Sequence, residues 1–205
     1  MEIRRVNTYR DSRFTQNVLN QHGCFLVDNI PCEIEITSGY EAVIRGAESS
    51  IYPALIDEFR FYTPHITCFY DEHHCVVREF PRLQLLKIKL EEIQPSQFYV
   101  DEDKIAAIGG FITKADDIIV QVLPYQDRYI SLDGHTRLYY AAAKGWDSVW
   151  AVMESSDKWV YEFVEEAKKR NIKAPGDLIL VSHEEYEEKW NHFCDDFFAK
   201  KDGEQ

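Results

Sequence analysis

Between Asp101 and Met153 the apolar periodicity passes from helical to alternating, back to helical and back again. That succession restricts the chain to folds in which helices pack on a sheet. Asp101 is placed to cap a helix whose apolar positions are Ile105, Ile108 and Phe111 or Ile112, and Gly109-Gly110 weaken its last turn. Ile118 to Leu123 is β-rich, and Pro124-Tyr125-Gln126-Asp127 turns the chain into a second strand, Arg128 to Leu132. A tight turn then opens a helix from about Thr136 to Lys144, ended by Gly145, and a strand runs from Ser148 to Met153.

The flanking segments read as smaller units of the same α+β kind. The first twenty residues form a mildly basic arm or short helix. Cys24 to Arg45 alternates apolar and polar residues about Ser38-Gly39 as a hairpin, and Tyr52 to Tyr62 places Leu55, Ile56, Phe59 and Tyr62 at helical spacing behind Pro53. ITCFY and CVVREF flank Asp71 to His74 as a second hairpin, and Pro81 to Leu90 leads out as a strand. After residue 154 come a helix striped by Trp159, Val160, Phe163 and Val164, a break at Pro175-Gly176, and a short strand from Asp177 to Val181. A last helix follows, boxed by Ser182 and Glu185 and striped by Tyr186, Trp190, Phe193, Cys194 and Phe197. The expected organisation is a small N-terminal α+β hairpin unit (1–83), a core with a small mixed sheet (84–154) and a helix-strand-helix extension packed on it (155–205).

Composition narrows the function classes. The chain carries 23 basic and 36 acidic residues, net −13, whereas a sequence-independent grip on DNA comes from Lys and Arg neutralising phosphates. Nucleic acid is therefore an unfavoured partner. A small phosphorylated ligand, which needs one local cradle of donors, is not excluded. No apolar run approaches the length of a membrane-spanning helix, and MEIRRVNTYRDSRF lacks the apolar stretch of a secretory signal. The five cysteines are odd in number, scattered and free of any CxxC, which fits a reducing cytoplasm better than a disulfide framework. GxxxxGK[ST], GxGxxG, GxSxG and HExxH are all missing.

The turn Asp133-Gly134-His135-Thr136-Arg137 joins a predicted strand to a predicted helix, where unpaired backbone N–H groups and the helix dipole favour an anion. Gly134 lets the backbone approach closely, Thr136 adds a hydroxyl, and Arg137 can hold phosphate oxygens with two prongs. Asp133 is placed to hold magnesium or orient a hydroxyl, and His135 has the chemistry of a proton carrier near neutral pH. The alternative is structural: Asp133 and Thr136 cap the helix while Arg137 pairs with a carboxylate.

The stretch DIIVQVLP, RYISLDGHTRLYYAAAKGW and VWAVM resembles the ParB/sulfiredoxin-like superfamily, in which a helix precedes two strands, a G-x-x-R turn, an Ala-rich helix and a strand. EEIQP and DEDKIAAIGGFI are similar to the segments that precede this core, and the resemblance covers Leu86 to Glu154. Sulfiredoxins carry a cysteine where His135 stands, so thiol repair of sulfinic acids is not implied. Partition-type ParB proteins carry G-E-R-R, bind CTP and add a DNA-binding module that has no evident counterpart here. The free-serine kinases of the superfamily carry D-G-H-x-R, which Asp133, Gly134, His135 and Arg137 match.

That match implies a nucleotide (ATP, ADP or CTP) with Mg2+, its phosphates on Gly134, His135, Thr136 and Arg137. Asp133 would hold the metal, and Asp133 and His135 would be the catalytic pair. It implies a kinase of a small hydroxylated metabolite such as an amino acid. Those kinases place a glutamate two residues after the proline of the preceding segment; here Pro95 is followed by Ser96 and Gln97, and Gln97 cannot act as a base. Glu91, Glu92, Asp101 and Asp133 are the possible substitutes, and the sequence does not choose among them. From Glu91 to Asp133 nine acidic and three basic residues leave a local −6, suited to magnesium or an ammonium group, or else simply solvated.

Two weaker constellations remain. His65, Cys68, His73, His74 and Cys75 are soft ligands within eleven residues, irregularly spaced. Tyr139, Tyr140, Trp146 and Trp150 are candidates for base stacking or for core packing. Two further readings of the whole stand beside the nucleotide-binding one: a non-catalytic regulatory or protein-interaction module, and a ParB-like nuclease or DNA-binding protein.

Overall fold

The computed structural model describes residues 1–46 and 48–203; the last two residues of the expected extension lie outside them. The fold is α+β, and the chain divides into two compact units, Met1–Leu85 and Leu86 onward.

The first unit is a six-stranded sheet in sequence order: β1 (Ile3–Arg5), β2 (Cys24–Val27), β3 (Ile30–Ile36), β4 (Glu41–Arg45), β5 (Cys68–Tyr70) and β6 (Val76–Glu79), with helix α1 (Gln16–Asn20) between the first two strands. The lead segment expected as an arm or short helix supplies a strand, because Ile3 to Arg5 pairs antiparallel with Phe25 to Val27. Cys24 to Arg45 makes three strands rather than one hairpin. Asp28 and Asn29 both adopt positive φ (47° and 69°), the conformation a tight two-residue hairpin loop requires, and so split the run into β2 and β3. Strands β4 and β5 pair in parallel, a pairing that demands a crossover, and helix α2 (Tyr52–Tyr62) provides it with Pro53 in its first turn. The α2 residues Leu55, Ile56 and Phe59 pack with Ile34, Ile44 and Phe69 into the core of this unit.

The second unit carries a mixed five-stranded sheet in the order β7-β12-β10-β11-β8, built from β7 (Leu85–Lys89), β8 (Ile93–Pro95), β10 (Ile119–Tyr125), β11 (Arg128–Ser131) and β12 (Ser148–Met153). Strands β10 and β11 form an antiparallel hairpin, while β12 joins β10, and β8 joins β11, in parallel. Helix α4 (His135–Ala143) makes the crossover from β11 to β12. With α3 (Glu102–Ile108) it buries Ile108, Leu138 and Ala141 against Ile93, Val120 and Val122. Asp101 caps α3, its side chain accepting from the Asp103 backbone N–H, as the sequence predicts. Helix α5 (Trp159–Lys169) sets Val160 and Val164 against Ile130.

A separate two-stranded parallel sheet pairs β9 (Tyr99–Asp101) with β13 (Ile179–Val181). The Ser182–Glu185 capping box is present and opens α6 (His183–Tyr186). The single last helix expected from its apolar stripe is interrupted: a π-helical segment, Glu187–Asn191, separates α6 from α7 (His192–Asp202). Phe163 of α5 meets Phe193, Phe197 and Trp190 with ring centroids 4.7 to 5.8 Å apart, and this aromatic packing seats the last helix. No helix among the described residues is long and apolar enough to cross a membrane.

Candidate functional site

The turn between β11 and α4 places its five residues at the amino end of a nine-residue helix. Gly134 is the N-cap with φ 82°, in the left-handed region, and has no side chain of its own with which to cap the helix. A Cβ at Gly134 would lie 2.7 Å from Val120 Cγ1 and 3.0 Å from Arg137 Nη2, so both the conformation and the space demand glycine. Arg137 folds back over the turn. Its Nη1 donates to the Ile119 carbonyl at 2.7 Å and its Nη2 to Asp133 Oδ2 at 3.0 Å. The guanidinium is thus held by the chain's own groups, one of them a carboxylate at the place where an external anion would meet the same nitrogen.

His135 faces inward. It is buried, and its Nε2 lies 3.0 Å from Ser131 Oγ and 3.3 Å from Ser96 Oγ, while Ser96 Oγ also donates to the Ser131 carbonyl at 2.7 Å. Burial lowers the imidazole pKa to about 4 against the opposing attraction of Asp133. The ring is therefore neutral near pH 7 and spans β11 and the segment after β8, a strut where the sequence suggests a proton carrier. Thr136 is half-buried and Asp133 exposed.

Pro95, Ser96 and Gln97 do arrive beside the turn, because β8 pairs with β11 in the register Pro95 to Ser131. Gln97 is buried; its Nε2 donates to the Tyr99 carbonyl and, at 3.3 Å, to the Tyr186 hydroxyl. The position at which the resemblance expects a carboxylate base is an internal amide covered by the C-terminal extension. Of the other acidic candidates, Glu91 is exposed, and Lys89 binds it at 3.3 Å. Glu92 closes back on the Lys89 backbone N–H, and Asp101 is buried at the α3 cap.

The remaining sequence candidates disperse. Tyr140 packs edge-on against Trp146 beside the core, Tyr139 packs on the cluster around Phe98, and Trp150 Nε1 donates to Asp116. Cys68 pairs across the hairpin with Glu79, so it is well offset from Cys75, and His73 and His74 are exposed at the tip while His65 is buried. No three of these ligands converge. Among the described residues the one set of three metal-ligating side chains that does is Asp101, Asp103 and His183, whose ligand atoms all lie within 4.8 Å of one another. His183 Nδ1 is 2.8 Å from Asp101 Oδ2, and that hydrogen bond raises the His183 pKa. The sequence marks Asp101 as a cap and a possible base and counts Asp103 among the acidic residues suited to magnesium, but gives no sign of His183 beside them, since the β9–β13 pairing that brings it there joins residues some eighty positions apart.

No protein-family model matches the sequence, and no curated protein matches it. Among solved structures, protein Atu1540 from Agrobacterium tumefaciens aligns over 47% of this chain and 61% of its own at 19% identity, with a TM-score of 0.34. The aligned part is thus less than two thirds of that protein, and a likeness of this degree assigns neither fold family nor activity.

Proposed function

We propose that the chain is a ParB-like nucleotide-binding protein of the cytoplasm that takes the phosphates of ATP, ADP or CTP, with Mg2+, at the amino end of α4. The observation that carries the reading is the helix start at Gly134, an N-cap residue with no side chain of its own, over which the Arg137 guanidinium lies directly. The order α3, β10, β11, turn, α4, β12 is also the order that the resemblance calls for. Asp133 is the group an incoming phosphate displaces from Arg137. Its side chain is 52% exposed, and an ion pair so open to water contributes about 0–1 kcal/mol, which a multiply charged phosphate outcompetes. The carboxylate would then stand beside the phosphates, a hard oxygen ligand for the cation that accompanies the nucleotide.

Binding, rather than phosphate transfer to a metabolite, is what these residues favour. His135 is an internal neutral ring, and Gln97, engaged by Tyr99 and Tyr186, accepts no proton. The same observation supports the second reading, a non-catalytic regulatory or protein-interaction module in which the turn is only structural. Titration of ATP, ADP and CTP with Mg2+ against wild type and Arg137→Ala tests the proposal. Binding by wild type, weakened about tenfold or more in the variant, is the expected result. Equal or absent binding in both overturns it, and a phosphorylated product from a panel of amino acids would overturn the non-catalytic part alone.

A further inference from the structure

We propose that Asp101, Asp103 and His183 form a divalent-cation site, of the oxygen-and-imidazole type that suits zinc or manganese, which clasps α6 to the start of α3. The site is independent of the turn at Gly134 and does not rest on the nucleotide reading.

Asp101 ends β9 and His183 opens α6 directly after β13, so the parallel β9–β13 pairing, with Val181 opposite Asp101, brings the two together. Asp103 stands in the first turn of α3, exposed, on the same side. Two observations point to a cation. The first is geometric: one oxygen from each carboxylate and one imidazole nitrogen already lie within 4.8 Å of one another. Ligands about 2.0–2.2 Å from a shared ion end up no more than about 4.4 Å apart, so closure needs only small side-chain shifts. The second is electrostatic. Asp101 is 1% exposed, and buried carboxylates are kept by pairing or by metal coordination. Its oxygens meet the Asp103 backbone N–H and a His183 ring that is 57% exposed, with the Asp103 carboxylate alongside. Two carboxylates thus face one imidazole. A divalent ion replaces the proton on Nδ1, satisfies both carboxylates and leaves open positions for water. Carboxylate with imidazole is a borderline-hard set, which favours zinc or manganese over the soft ions that thiolates select.

Isothermal titration of the full chain with ZnCl2, MnCl2 and MgCl2 tests this, in a His73→Ala/His74→Ala background that removes the exposed hairpin imidazoles. Asp103→Asn spares the α3 cap, whose donor is the backbone N–H of residue 103, and also spares the His183–Asp101 contact. It therefore reports on ligation rather than folding. The expected result is one ion of zinc or manganese per chain with a rise in Tm, and affinity lower by about tenfold or more in both Asp103→Asn and His183→Gln. No saturable binding at millimolar metal, or binding unchanged in either variant, overturns the proposal.

Discussion

Tyr186 closes over Gln97: the hydroxyl of the buried tyrosine in the C-terminal extension accepts a hydrogen bond from the amide of the segment beside the Gly134 turn. Gln97→Glu therefore does not restore a catalytic base. A carboxylate cannot donate to the Tyr99 carbonyl, and losing that part-buried hydrogen bond costs about 1 kcal/mol. Urea denaturation should show that loss, with no phosphorylated product in an ATP or ADP assay. Tyr186→Phe, which removes only the acceptor hydroxyl, should cost about 1 kcal/mol.

His135 makes acid stability informative. Its folded pKa is lowered to about 4 while the unfolded ring stays near 6.5, so below 6.5 the unfolded chain takes up a proton that the folded chain refuses. Stability from this group is full above about pH 6.5, falls as the pH drops towards 4, and levels off below. The drop is roughly 3 kcal/mol by linkage. Denaturation midpoints between pH 4 and 7 should show it, and His135→Gln should flatten that part of the profile.

Gly134→Ala should destabilise the chain by about 1–3 kcal/mol, because alanine meets both an unfavourable φ and Val120 Cγ1 at 2.7 Å. Asp133→Asn should change stability by less than about 1 kcal/mol and should tighten phosphate binding at Arg137, since the competing carboxylate is gone. Thermal unfolding and phosphate titration of the two variants separate these effects.

Phe163→Ala should cost about 3–5 kcal/mol, as the ring meets Trp159, Trp190, Phe193, Phe197 and Phe198 together. Limited proteolysis should then cut first within Glu187–Asp202, where the removed ring had seated the last helix.

Local signals made the second unit readable from Asp101 to Met153. The Asp101 cap, the turn before Arg128, Gly145 after α4 and the Ser182–Glu185 box are each decided by neighbours a few residues away, and each stands in the structure. Distant pairings were not readable in this way. Ile3 to Arg5 is a strand only because β2 offers an edge. The parallel join of β4 to β5 depends on α2 crossing the sheet, and the π segment at Glu187 has no periodicity of its own. Asp28-Asn29 is the exception, a tight-turn signal present in the sequence but hidden inside a longer alternating run. At the candidate site the residue types were legible and their partners were not. Nothing local to Arg137 announces Ile119, and nothing local to Gln97 announces Tyr186.

The pairing of β9 with β13 also fixes an order of events during synthesis. Tyr99–Asp101 leaves the ribosome long before Ile179–Val181 exists to meet it, at about 5–20 residues per second. For those seconds the nascent chain carries an open strand edge beside a half-built aromatic cluster, and translation must run past residue 181 before that edge is shielded. A chain stalled or truncated before that point is the form most exposed to chaperone capture and self-association.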